Sequence, residues 1–84
     1  MTIATNRKLP KRAHLNRIVL AERLWQSRKS RGWSQEMLAR QANMSLMTVN
    51  QIECANRTAN TGTILLLAQA LEVTPEWLCG IEEE

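Results

Sequence analysis

The sequence predicts an all-α protein of a single domain, and three observations carry that expectation. Residues that keep most of their rotamer freedom in a helix, Ala, Leu, Arg, Glu, Gln and Met, recur throughout, and only three Gly and two Pro punctuate the 84 residues. No stretch alternates apolar and polar residues at period two, as a half-buried strand would. Ser34, Ser45 and Thr74 each stand just before an apolar run of helical period, where a side-chain oxygen can accept from an orphan backbone N–H. At this length a second core does not fit.

Residues 1–13 contain Arg7, Lys8, Lys11 and Arg12 without periodicity and read as a flexible basic arm or a plain disordered terminus; residues 14–81 form the domain and 82–84 an acidic tail. Ile18, Ala21, Leu24 and Trp25 recur at helical spacing and predict a first helix from about Leu15 to Ser30, stopped by Gly32 in a left-handed conformation. Ser34 caps a second helix with Glu36 in its first turn, and Trp33 can pack on Leu38 as a hydrophobic staple. That helix ends near Ala42. Asn43, tolerant of positive φ, and Met44 make a tight connection to Ser45, which caps a third helix from about Leu46 to Cys54; Met44 faces Val49 as a second staple.

Ala55 to Asn60 reads as a loop bearing Arg57. Thr61 or Gly62 opens a fourth helix with an Ile64, Leu67, Ala68 and Leu71 stripe. Thr74, Pro75 and Glu76 supply a cap, a first-position proline and a first-turn acid for a short fifth helix through Trp77 and Leu78, stopped by Gly80.

Composition excludes several classes of function. The longest apolar run, Ile64 to Ala68, is far below the roughly 18 residues of a membrane span. Lys11, Arg12 and Arg17 interrupt any signal-peptide core, so the expected compartment is the cytoplasm, with Cys54 and Cys79 as reduced thiols. One His14 and two distant cysteines make no metal-ligand spacing, and no cofactor is implied. No nucleophile, acid pair or phosphate-cradling loop accompanies His14, which argues against an enzyme.

Charge is polarised. All eleven Lys and Arg lie between Arg7 and Arg57, with only Glu22, Glu36 and Glu53 among them, whereas residues 58–84 hold five acids and no base. Such a molecule can turn a basic side to a polyanion, of which nucleic acid is the natural one, or simply have an uneven solvated surface.

Helices two and three are separated by about three residues, the spacing of a helix-turn-helix, whose second helix lies in the major groove. On a wheel of about 100° per residue, Val49, Ile52 and Glu53 share one side while Met47, Asn50, Gln51 and Cys54 point the other way. Asn and Gln amides can pair bidentately with adenine, though on an arbitrary helix two amides are ordinary solvated residues.

From Leu20 to Gly80 the chain resembles the family of lambdoid phage repressor, Cro and related XRE-type bacterial regulators, which have a five-helix DNA-binding domain. The residues that carry the resemblance are Leu20, Glu22, Arg23, Leu24 and Arg28, then Gly32-Trp33-Ser34-Gln35-Glu36 with Leu38 and Ala39. They continue with Met44-Ser45, Thr48-Val49 and Ile52-Glu53, then Thr63 to Leu71, and close with Val73-Thr74-Pro75-Glu76-Trp77-Leu78.

The resemblance implies a sequence-specific transcriptional regulator, a repressor that binds double-stranded DNA at a palindromic operator as a homodimer. It implies that Gln35 bonds phosphate or a base edge, that Ser45, Leu46, Met47, Asn50 and Gln51 occupy the recognition positions with base reading chiefly on Gln51, and that Asn56 and Arg57 touch the phosphate backbone. Arg28 and Glu53 match a structural ion pair between helices one and three. Trp77 and Leu78 fall where relatives make a two-fold contact that sets recognition helices about 34 Å apart, or else they cap the core.

Departures from the pattern qualify this picture. Leu46 and Met47 are apolar where many relatives are polar, which suits either thymine methyls or a protein surface. Ser27 replaces a core residue and Trp25 stands at a commonly exposed position, so helix one is expected to be rotated or supplemented, with Trp25 gathering Leu15 and Val19. Ala55 and Glu72 replace frequent glycines, leaving those turns differently shaped or strained. The rival function is an antitoxin or other protein-interaction module on the same fold. The third helix itself carries no Lys or Arg, so phosphate attraction falls to Arg57, the helix termini and the arm, and the two amides favour adenine and thymine over guanine.

Overall fold

The computed structural model describes residues 17–81, which form five helices and no strand. They are α1 (residues 17–30), α2 (Gln35–Gln41), α3 (Leu46–Glu53), α4 (Thr61–Leu71) and α5 (Pro75–Cys79). The basic arm over 1–13, His14, Leu15 and the acidic tail at 82–84 lie outside the described residues.

Helices α2 to α5 start by the same chemistry. Ser34, Ser45, Asn60 and Thr74 sit in extended backbone, and their side-chain oxygens accept from the N–H of Met37, Thr48, Thr63 and Trp77 at 2.8–3.1 Å. Three of these caps are evident in the sequence. Asn60 is the fourth, and by accepting from Thr63 at 2.8 Å it opens α4 at Thr61.

All five helices also stop alike, through a Schellman pair of backbone bonds around one residue of positive φ. At the end of α1 the Gly32 N–H reaches the Lys29 carbonyl (2.9 Å) and the Trp33 N–H the Arg28 carbonyl (3.1 Å). Asn43, Ala55, Glu72 and Gly80 close the others in the same way. A Cβ on Gly32 would meet nothing within 4 Å, so glycine is needed there for its φ of +71° and not for room.

Ala55 and Glu72 adopt φ of 61° and 59°. The two turns therefore keep the shape a glycine would give and carry the strain of a Cβ in the left-handed region. Replacing Ala55 with glycine is expected to raise the unfolding free energy by about 0.5–1 kcal/mol, because relief of that strain exceeds the added entropy of the unfolded chain. Thermal unfolding should show a rise of several degrees for a domain of this size; a fall would mean that the turn is unstrained.

The core runs through every helix: Leu20 and Leu24 from α1, Leu38 and Ala39 from α2, Val49 and Ile52 from α3, the predicted stripe Ile64, Leu67, Ala68 and Leu71 from α4, and Leu78 from α5. The α2 helix packs against both α3 and α4, while α5 lies on α4. Arg31 ties the end of α1 to the end of α4, its guanidinium donating to the Leu71 carbonyl (2.9 and 3.2 Å) and to Glu72 Oε1 (3.1 Å).

Two sequence expectations require correction. The buried face of α1 is Leu20, Ala21, Leu24, Ser27 and Arg28, whereas Ile18 and Trp25 of the expected stripe are about half exposed. The helix is not rotated: Ser27 still faces inward, its hydroxyl donating to the Arg23 carbonyl (2.7 Å), so a small polar residue is accommodated without an unpaired group. Among the described residues Trp25 gathers no core and is half exposed, with the Lys29 ammonium 5.8 Å from its ring centroid, while the expected partner Leu15 lies outside the described residues. The second correction concerns the expected dimer contact. Leu78 is fully buried in the core of its own chain and has no surface to offer a second copy; of that pair only Trp77, partly buried and stacked on Arg23, has one.

Candidate nucleic-acid interface

Capped by Ser34 and Ser45, with Trp33 and Met44 just before the caps packed against the core, α2 and α3 have only residues 42–45 between them. Val49 and Ile52 turn into the core, and the opposite face of α3 is left to solvent: Met47 is 68 % exposed, Leu46 is 47 % exposed, and Asn50 and Cys54 are exposed. The division of the helix into two faces follows the period of the sequence.

Beneath that face runs a chain of hydrogen bonds that starts in the core. Arg28 grips Glu53 bidentately, Nε to Oε2 at 2.6 Å and Nη2 to Oε1 at 2.9 Å, with side chains only 9 % and 4 % exposed. The remaining terminal nitrogen of Arg28 donates to the Trp33 carbonyl at 2.8 Å. Glu53 Oε1 also accepts from Gln35 Nε2 (3.0 Å), which turns the Gln35 carbonyl oxygen outward, and that oxygen accepts from Asn50 Nδ2 (3.2 Å). One buried ion pair thus sets the polarity of two amides at the surface.

Gln51 belongs to a different group. Its Oε1 accepts from Arg57 Nη1 at 3.2 Å. Arg57 is exposed, in the segment after α3, and the chain returns there because the Asn56 N–H bonds the Gln51 carbonyl (2.9 Å) around the left-handed Ala55. Asn56 is likewise exposed. Ser45 is exposed but its hydroxyl is engaged, capping the Thr48 N–H and pairing with the Thr48 hydroxyl at 2.8 Å.

The expected residues Gln35, Ser45, Leu46, Met47, Asn50, Gln51, Asn56 and Arg57 therefore share α2, α3 and the turn that follows, while Trp77 and Leu78 belong to α5. The bonds Gln35–Asn50 and Arg57–Gln51 were not legible, since side-chain partners 15 and 6 residues apart are chosen by tertiary placement. Arg23, one of the residues that carry the resemblance, stacks on Trp77 with its guanidinium 4.9 Å from the ring centroid and donates to the Trp77 carbonyl; that pairing was not legible, because the partner is a backbone oxygen 54 residues away.

Cys54 and Cys79 are free thiols. Burial, and then the negative charge of Glu76, push the Cys79 thiol above its ordinary pKa, which keeps it neutral. Among the described residues no cluster of three or more His, Cys, Asp or Glu could hold a metal ion, and no helix is long and apolar enough to cross a membrane.

Comparison with known proteins agrees with this geometry. A family model described as Helix-turn-helix matches residues 24–78, from the core of α1 to the core of α5. A crystal structure described as a hypothetical transcription factor, NHTF, from Neisseria is similar, with 33 % sequence identity and a TM-score of 0.74 over 79 % of this chain and 75 % of that one. A search of curated proteins returns no match. With five capped helices, an α2–α3 pair joined by a tight turn and a family match over most of its length, the chain belongs to the helix-turn-helix family of DNA-binding regulators typified by lambdoid phage repressor and Cro.

Proposed function

We propose that this protein is a sequence-specific transcriptional regulator, a repressor that places α3 in the major groove of a palindromic operator and binds it as a homodimer. The observation that carries the reading is the solvent face of α3, where Leu46, Met47, Asn50 and Gln51 stand together beside Gln35. In this reading Ser45, Leu46, Met47, Asn50 and Gln51 face the groove, with Gln51 and Asn50 reading base edges and Leu46 and Met47 contacting thymine methyls; Gln35 bonds phosphate or a base edge, and Asn56 and Arg57 hold the phosphate backbone. The likeness to a hypothetical transcription factor supports it. No catalysis is part of the mechanism.

Because α3 carries no Lys or Arg, attraction to phosphate comes from Arg57 and from the N-terminus of α2. The second copy approaches through the α5 end, using Trp77 and not Leu78, and sets two recognition helices about one DNA turn, roughly 34 Å, apart.

Selection of duplexes from a random pool tests the reading. A preferred site with two-fold symmetry is expected, rich in A·T pairs, with log K falling against log salt by about 0.9 for each phosphate neutralised. Gln51→Ala should weaken binding by about 1–3 kcal/mol and relax one base position per half-site. No preferred site and no salt slope would overturn the proposal.

A second reading, a protein-interaction module such as an antitoxin, draws on a different observation. Ile18 and Trp25 are exposed on α1 and border a shallow groove with Ala21, Glu22, Gln26 and Glu53, and Leu46 and Met47 add further exposed apolar surface. Binding to a partner protein that survives high salt, with no duplex selected, is the outcome that favours it.

A further inference from the structure

Arg57 lies where a phosphate contact is expected, yet its guanidinium is spent in part on Gln51, the principal base reader of the proposal above, and the inference here rests on that reading. We propose that Arg57 is a positioning residue for Gln51: it fixes which end of the Gln51 amide faces the groove and so sets base specificity as well as holding the backbone.

The reason lies in the chemistry of the amide. A glutamine side chain is nearly symmetric in shape but not in hydrogen bonding, and a half-turn about its last torsion exchanges carbonyl for NH2. A free rotor can offer either order of donor and acceptor to the base edges of the groove, whereas adenine presents N7 and N6–H2 in one order only. Arg57 Nη1 on Gln51 Oε1, at 3.2 Å, selects one polarity. The carbonyl keeps a second lone pair for a base donor, and both N–H groups stay available to a base acceptor. Orientation settled before binding also removes part of the entropy lost in ordering the side chain.

The pairing is supported by the backbone. Ala55 in its left-handed conformation reverses the chain, and the bonds from the Ala55 N–H to the Ile52 carbonyl (3.0 Å) and from the Asn56 N–H to the Gln51 carbonyl (2.9 Å) hold the following residues over the last turn of α3. Arg57 is thereby kept beside Gln51. A guanidinium has five N–H donors in a planar fork, so one can remain on Oε1 while others reach a phosphate. The neighbouring amide, Asn50, is oriented separately through Gln35 and Glu53, so the two reading amides are positioned by independent partners.

The test uses the whole chain and a duplex selected by the wild-type protein, together with single base-pair variants of that duplex. For each variant the ratio of its Kd to that of the selected site is measured, which cancels any contribution that Arg57 makes equally to all DNA. Arg57→Ala is expected to lower the ratio at the base pair that responds to Gln51→Ala by at least threefold, leave other positions unchanged, and cause no further loss of discrimination in the Gln51→Ala background. Arg57 is exposed, so its removal leaves the fold intact, and unchanged helicity by circular dichroism verifies this. If the wild type selects a site and Arg57→Ala weakens every duplex equally, the positioning role is overturned while the DNA-reading proposal stands. If the wild type selects no site, it is the DNA-reading proposal that falls, and this one with it.

Discussion

Replacing Glu53 with alanine is expected to remove about 3–5 kcal/mol of unfolding free energy. Glu53 and Arg28 are both almost wholly buried and share two hydrogen bonds. Once Glu53 is gone, Arg28 retains its bond to the Trp33 carbonyl but buries two other N–H groups and an unbalanced charge. Total stability for a chain of this length is on the order of 5–10 kcal/mol, so the variant should sit near its unfolding midpoint in little denaturant. Urea unfolding measures the loss directly. A loss under about 1 kcal/mol would mean that the pair behaves as a solvated surface ion pair.

The same substitution reaches the interface. Without Glu53 Oε1 the Gln35 amide loses the partner that turns its carbonyl toward Asn50. A double replacement of Arg28 and Glu53 with apolar residues of similar volume should recover much of the stability, since no charge is left buried, but not the orientation of Gln35. Stability and DNA binding would then separate in one pair of variants.

The second large effect is expected at Leu78. Truncation to alanine should lower the unfolding free energy by about 2–5 kcal/mol through lost burial and the cavity left behind. Its side chain is fully buried in the core of one chain, on a helix that packs against α4, so the loss should be the same at every protein concentration. An interface residue would behave differently, because a dimer's melting point shifts with concentration by mass action. A concentration-dependent loss in Leu78→Ala, absent from the wild type at saturating concentration, would restore Leu78 to the subunit contact. The matching substitution Trp77→Ala should cost stability by removing the stacking on Arg23, and, if the proposed dimer forms through α5, should weaken that dimer as well.

Local chemistry made most of the fold legible. Ser34, Ser45 and Thr74 can each satisfy an N–H three residues ahead whatever surrounds them, Gly32, Asn43 and Gly80 tolerate positive φ, and the α4 stripe has one face that can be buried. The α3 wheel worked for the same reason, as the period of a helix alone separates Val49 and Ile52 from Met47 and Asn50. Asn60 was missed because Asn serves loops and caps alike, and only the carbonyl's reach to Thr63 distinguishes them. Trp25 and Ile18 misled because a helix with apolar residues on two sides does not state which side its neighbours will cover.

The sequence by itself determined that this protein is five helices with a helix-turn-helix at α2–α3, because caps and left-handed stops act within a few residues of each other and the period of a helix sets its apolar stripe. Only the tertiary structure decided which side of α1 is buried, that Leu78 belongs to the core, and that Gln35 holds Asn50 while Arg57 holds Gln51. The two side-chain pairs join residues 15 and 6 positions apart, and no local propensity sets such distances; the packing of the helices does.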